Sequence, residues 1–526
     1  MTRLRAITEE NRRWWTLGSM CFALFMIMLD NTVVNVALPS IQSDLNASLS
    51  TLEWTVNIYT LTFAVLLVTG GRLGDIFGRR RAFLTGVVLF ALSSATAGFA
   101  PTDSFLVASR ATQGIGAALM MPATLSIITN AFPAHERGKA IGTWAGVSAL
   151  ALAIGPVVGG FLAEQVSWRA IFFLNLPVAA AAVVVTLAAT KESRDPTVPR
   201  TVDYAGVVTV TVGIGALVLA LVEGNGWGWG SPRIAALLAV SVASLAAFVI
   251  VERRARYPMV EFEFFRSRTF LGASGVTFVV SFSMLAMFFF MALYMQNVLG
   301  YSPLEAGIRF LPSTGLIIVA APIAGRLTDR IGPRIPIAIG MTLVAVALFI
   351  QSRIDAGTTY SDLLPAFLMM GLGIGLTMSP MSTAAMNAVQ NTKAGAAAGI
   401  LSMSRMVGGT FGVAAVGALF QHISDNRLEG RLGDLQLSDQ QRSWFAENVG
   451  SGDVPSRVQQ LDPGTAQEVT DALRDAFVHS LSASLKLSTA VAAAGVAIAV
   501  LTLGSARALA HTGVSPAVAP VPQRPD

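Results

Sequence analysis

Cysteine is almost missing: Cys21 stands alone among 526 residues. A lone thiol excludes an intrachain disulfide and a thiolate metal cluster. Charge is also scarce, at 13% of residues against about 25% in soluble domains. Histidine is confined to His135, His422, His479 and His511, all expected outside the long apolar runs. No Gly-x-x-x-x-Gly-Lys-Ser/Thr loop is present to cradle phosphates. With no catalytic histidine expected inside the membrane and no phosphate loop, the chain does not read as an enzyme or an ATP-driven pump.

What is abundant is apolar surface: 53% of residues are hydrophobic and the mean hydropathy is +0.62. Apolar windows of about 20 residues, each long enough to cross a bilayer, predict spans near 15–39, 52–71, 82–100, 104–130, 140–163, 169–190, 203–222, 233–251, 269–297, 304–325, 335–351, 362–386, 396–420 and 483–506. The expected fold is an all-α polytopic membrane protein of fourteen helices. The first run, following Arg12 and Arg13, imitates a secretory leader. It is too long and lacks a small-residue cleavage site, so it reads as a retained helix. A net charge of +5 does not imply a nucleic-acid partner, because the basic residues fill alternate short loops. Arg79, Arg80 and Arg81, Arg137 with Lys139, and Arg326 with Arg330 are examples. The positive-inside bias then predicts both termini in the cytoplasm.

Asp30 interrupts this apolar background. It lies about 22 Å beyond Trp15 along the first helix, within a hydrocarbon layer about 30 Å thick. A carboxylate there costs about 2.5–3.5 kcal/mol on insertion scales. It either orients the helix in a wet cleft or carries a proton.

Gly71-Arg72-Leu73-Gly74-Asp75-Ile76-Phe77-Gly78-Arg79 after helix 2 recurs as Gly325-Arg326-Leu327-Thr328-Asp329-Arg330-Ile331-Gly332-Pro333-Arg334 after helix 10. Copies eight helices apart imply two six-helix units with two helices inserted between them. The expected organisation is a bundle over 1–200, two linker helices over 201–260 and a bundle over 261–510, with a tail at 511–526 expected to be disordered. The linker helices, lacking central charges, read as lipid-facing. Residues 421–482 form an expected outer loop. Within it, Thr465-Ala466-Gln467-Glu468 reads as a capping box, and Val469, Leu473, Phe477 and Leu481 form an amphipathic stripe.

Several stretches carry a specific resemblance. Gly71-x-Leu73-Gly74-Asp75-x-x-Gly78-Arg79-Arg80 resembles the cytoplasmic loop signature of the major facilitator superfamily. Leu29-Asp30-x-Thr32-Val33-Val34-Asn35-Val36-Ala37-Leu38-Pro39 and Arg110-Ala111-Thr112-Gln113-Gly114-Ile115-Gly116-Ala117-Ala118 resemble motifs of its fourteen-helix drug–proton antiporter branch. Gly155-Pro156-Val157-Val158-Gly159-Gly160 is similar to the exporter motif of helix 5, and Trp168-Arg169 through Asn175-Leu176-Pro177 also fits. The resemblance implies two six-helix bundles that rock about a central cavity, in a bacterial cytoplasmic membrane. It also implies coupling to a proton gradient without a bound cofactor, export of amphipathic, cationic or zwitterionic compounds, and a monomer. Export of a lipid or of one dedicated metabolite is the alternative.

Within that fold Asp30 and Arg110 fall at similar depth in one half. Arginine holds its proton while an aspartate beside it can exchange one, so the pair is either a proton carrier with its tuning partner or a permanent structural ion pair. Gln113, Asn35 and Thr32 are expected polar neighbours. Asp75 and Asp329 are expected to clamp one conformation, together with Gly71, Gly78 and Arg79. Gly155, Pro156, Gly159 and Gly160 are expected to pack closely and to gate. Candidate cavity residues are Asn35, Gln113, Met287, Phe290, Tyr294 and Arg405. Arg405, about 14 Å into helix 13 with no carboxylate near the middle of helices 9–14, either pairs across the halves, bonds backbone carbonyls, or contacts an anionic cargo.

Overall fold

The computed structural model describes residues 7–45, 47, 49–197, 200–255, 257–258, 260–355, 357–432, 435, 437–447 and 457–504. Among them there is no strand, and fourteen helices are long and apolar enough to cross a membrane. The expected disordered tail lies outside the described residues.

The amino-terminal half is built from α1 (Arg12–Leu45), α2 (Leu49–Phe77), α3 (Arg79–Gly98), α4 (Asp103–Ala131) and α5 (Arg137–Gln165), with a sixth crossing broken into α6 (Trp168–Phe173) and α7 (Asn175–Ala189). The linker pair is α8 (Tyr204–Trp227) and α9 (Pro232–Arg254). The second half holds α10 (Arg268–Asn297), α11 (Pro303–Ile331), α12 (Arg334–Gln351), α13 (Tyr360–Asn387) and α14 (Ala394–Leu432). A short α15 (Asp439–Glu447) and a long α16 (Pro463–Thr502) complete it. The helix starts follow local chemistry. Thr102, Ser231 and Ser267 each accept the backbone N–H three residues on, and Ser302 with Glu305 closes a reciprocal box.

The internal repeat is visible in the packing. α1 lies on α5, α2 on α4 and α3 on α4; α10 lies on α14, α11 on α13 and α12 on α13 in the same relation. The halves meet along two equivalent seams, α2 with α14 and α5 with α11. Of the linker pair, α9 is the more exposed to its surroundings, as its apolar, charge-free centre predicts. α8, however, packs against both α2 and α14, and so sits over a seam rather than lying wholly in lipid.

The expected outer loop is largely helical. α14 runs on to Leu432, and α16 begins at Pro463, as one helix continuous with the last span. Its cap is Asp462, whose carboxylate accepts the Thr465 N–H at 2.9 Å, three residues ahead of the expected box. Pro463 at the first helical position has no N–H to leave unsatisfied, which favours that start. Val469, Leu473, Phe477 and Leu481 are all buried. Val469 and Leu473 join Leu428, Leu432, Leu437 and Phe445 in a small separate core. His422 and His479 are on these helical extensions and exposed.

Candidate functional site

Asp30 and Arg110 meet. α1 and α4 cross so that one carboxylate oxygen of Asp30 accepts from Arg110 Nη1 at 2.5 Å, with both side chains 1% exposed. The other oxygen accepts from Gln113 Nε2 at 2.9 Å and Asn175 Nδ2 at 3.2 Å. Three donors satisfy the carboxylate in its ionised form, the condition under which a charge survives burial. Arg110 has further partners of its own: Nε donates to Thr55 O at 3.2 Å and Nη1 to Gln113 Oε1 at 2.8 Å. Its guanidinium also lies 4.2 Å from the Tyr59 ring centroid.

Asn175, Thr55 and Tyr59 are absent from the sequence-based set. The signal for Asn175 was an amide within an apolar span, inside a motif already quoted. Its position depends on the break between α6 and α7. Pro177 offers no N–H to the Phe173 carbonyl, and Ser94 Oγ donates to the Phe172 carbonyl at 2.8 Å. Asn175 Nδ2 also reaches Ser94 Oγ at 3.0 Å. The start of α6 is tied at the far end of the half by Arg169, which bonds Asp44 at 2.5 Å and the Ala100 carbonyl at 3.3 Å. Trp168 Nε1 adds a 3.1 Å bond to Asp44. Asp44 lies beyond the first span, and the Arg169 bond first, then that of Trp168, holds its carboxyl below the usual range.

Asn35 and Thr32 are not brought to Asp30. Two and five residues along a helix turn about 160° and 140° away from it. Asn35 is exposed and bonds the Asn31 carbonyl, and Thr32 bonds that of Leu29. Thr32 instead meets Gly155, where a Cβ would fall 1.7 Å from the threonine hydroxyl; one on Gly159 would fall 2.9 Å from Val33 Cα. These two glycines therefore seat α1 closely on α5 inside one half. Gly160 has ordinary room, 3.8 Å to Val36, and α5 continues unbroken through position 156.

The charged contacts along the two seams gather at the arginine-rich end. Asp75 accepts the N–H groups of Gly395 (2.9 Å) and Ala396 (2.7 Å) at the start of α14. Asp329 accepts those of Gly138 (2.9 Å) and Lys139 (3.0 Å) at the start of α5. Each repeat copy thus caps the opposing half's helix, where the helix dipole favours an anion. The copies differ in one partner. Arg79 bonds Asp75 at 2.7 Å and reaches the carbonyls of Asn391 and Thr392 at 2.8 and 2.6 Å; the second copy has Pro333 in that place. Backbone contact accompanies both clamps. A Cβ on Gly71 would fall 2.3 Å from the Gly395 carbonyl oxygen, and one on Gly325 2.0 Å from that of Gly138. Gly78 takes φ +115°, a region that favours glycine. Arg137, read from sequence only as a topology signal, adds bonds to Asn387 and Asn391 at 2.9 and 2.8 Å.

Met287, Phe290 and Tyr294 are buried within the second half. Phe290 stacks on Phe420 with centroids 5.5 Å apart. Tyr294 donates to the carbonyls of Asp355 and Thr358, both at 3.1 Å, tying α10 to the loop before α13. Apolar packing gives these side chains a structural place that composition could not separate from a cavity lining. Arg405 projects toward α5, its guanidinium carbon 5.9 Å from the Trp144 ring centroid.

The sequence profile of the Major Facilitator Superfamily matches residues 20–413. The chain belongs to the major facilitator superfamily. Among relatives in this superfamily, the "Tetracenomycin C resistance and export protein" of Streptomyces glaucescens is 34% identical over 502 residues, covering 94% of this chain and 92% of that one. The "Multidrug resistance protein Stp" of Mycobacterium tuberculosis (strain CDC 1551 / Oshkosh) is 34% identical over 494 residues, covering 91% and 90%. The proton:xylose symporter XylE, a solved facilitator, aligns with a TM-score of 0.56 at 14% identity, covering 92% of this chain and 95% of its own. That likeness is one of fold. The chain is a multi-pass membrane protein of a transporter family.

Proposed function

We propose that this facilitator is a proton-driven antiporter that exports amphipathic small molecules. On this reading it acts as a monomer in a bacterial cytoplasmic membrane, with both termini inside and no resident cofactor, and it transports its cargo without altering it chemically. The observation that carries the proposal is the Asp30–Arg110 pair, fully buried yet held by groups that remain when it opens. If Asp30 takes up a proton, Arg110 retains the Thr55 carbonyl, Gln113 and the Tyr59 ring, so the cation is not stranded. The proton then enters from outside, the pair loosens, and the clamps at the arginine-rich end release. Loss of the proton inside restores the pair. Relatives named for drug resistance and export support the cargo class.

The test is ethidium efflux from energised cells carrying wild type or Asp30→Asn, before and after collapse of the proton gradient. The expected outcome is efflux only by energised wild type, with equal amounts of both proteins in the membrane. Efflux by Asp30→Asn with unchanged dependence on the gradient would remove Asp30 from the coupling.

A further inference from the structure

Arg405 is a charge without a counter-charge. It lies about 16 Å along α14 from Ala394, in the half-buried turn Met403–Val407, which follows a buried turn at 399–402 and precedes buried Gly408 and Gly409. Its one side-chain hydrogen bond is a long 3.5 Å contact to Ser382 Oγ on α13, and Ser382 already donates to the Met378 carbonyl. Its Nε is buried with no partner. Facing it from α5, Trp144 is 2% exposed and its Nε1–H is also without a partner. Arg110, the other arginine at such depth, is neutralised by Asp30. Asp30 is the only acidic residue in the middle of any span, so nothing of that kind remains for Arg405. A guanidinium cannot shed its proton to escape burial, and an unmatched buried charge is costly.

Arg405 Nε and Trp144 Nε1, one from each half, are buried donors without a hydrogen-bond partner among the described residues, and what would satisfy both is an acceptor. We infer that Arg405 and Trp144 bind an anionic oxygen of the cargo, a carboxylate or an ionised phenol on an aromatic frame. The cargo then bridges α14 and α5 across the seam. This rests on the export reading and narrows it. It adds a contact for anionic cargo, separate from the Asp30 carboxylate that Arg110 holds.

The test compares efflux of carboxyfluorescein (anionic) and ethidium (cationic) by wild type, Arg405→Ala, Arg405→Lys and Trp144→Phe. A parallel arm measures thermal stabilisation of each purified full-length protein by either dye. Removing one partner of a charge-assisted contact should lower carboxyfluorescein affinity by at least about tenfold. The ratio of anionic to cationic export should fall with it. Arg405→Lys should keep part of the ratio, and Trp144→Phe, which keeps the ring but loses the N–H, should lower it less. Equal loss for both dyes, or an unchanged ratio, would overturn the inference. If wild type exports neither dye, the export reading fails; stabilisation of wild type by carboxyfluorescein that Arg405→Ala abolishes would still support the binding site, and its absence would overturn that too.

Discussion

A carboxylate within a bilayer persists only where donors replace its water, and Asp30 has three, from Arg110, Gln113 and Asn175. Asn175 is the partner contributed by the broken sixth crossing, so Asn175→Leu should lower proton-driven dye efflux several-fold at unchanged membrane abundance. Quantitative efflux normalised to immunoblot signal checks this. Asp44 makes a separate case with a defined sign. Its carboxyl is held below the ordinary value of 3.8, chiefly by the bond to Arg169. The stabilisation is therefore present above that ordinary value and lost as the pH falls through the depressed one. Asp44→Asn should melt slightly earlier than wild type at pH 7, and the difference should vanish in strong acid. The shift is small, as for an exposed ion pair. Asp30, Arg110 and Gln113 were legible because polar groups stand out in apolar runs. Asn175 needed the angle of a helix break, and Asn35 and Thr32 were misplaced because proximity in sequence is not proximity on a helix face.

The decisive elements are the two clamps. Both aspartates were legible from the repeated loop, but their partners were not: backbone N–H groups of α5 and α14 have no sequence signature. The copies are unequal, since Arg79 braces Asp75 whereas Pro333 stands in the second copy. Removing one member of a buried ion pair costs about 3–5 kcal/mol, so Asp75→Asn should open the arginine-rich end more than Asp329→Asn. With Cys21→Ser and Thr392→Cys as background, maleimide labelling from that side should quicken most in Asp75→Asn, and dye turnover should slow most there. Equal labelling in both variants would show that Arg79 adds nothing. The glycines of helix 5 teach a complementary lesson. Small residues announce close packing, but not which neighbour they pack against; here it is α1.

At the scale of the whole molecule, fourteen spans and the duplicated half were legible because hydropathy and the repeat report directly on bilayer crossing and symmetry. In the segment 421–482 the amphipathic stripe from Val469 to Leu481 was legible, but the unbroken continuation of α14 and α16 from their spans was not, because the apolar pattern ends before the helices do. The small core they build around Phe445, which is 2% exposed, makes a prediction at this scale. Phe445→Ala should cost about 3–5 kcal/mol locally, read as earlier proteolysis of that region, while the clamps and the Asp30 cluster keep their labelling behaviour.

The place of α8 bears on how an oily solute reaches the interior. Two seams separate the halves, and α8 lies against both walls of one of them, α2 and α14. The other seam, α5 with α11, has neither linker helix packed over it. A compound dissolved in the bilayer would therefore meet one seam screened by a linker helix and one without that screen. The linker pair thus breaks the near-equivalence of the two seams on the lipid side, while Arg405 and Trp144 lie close together across the halves.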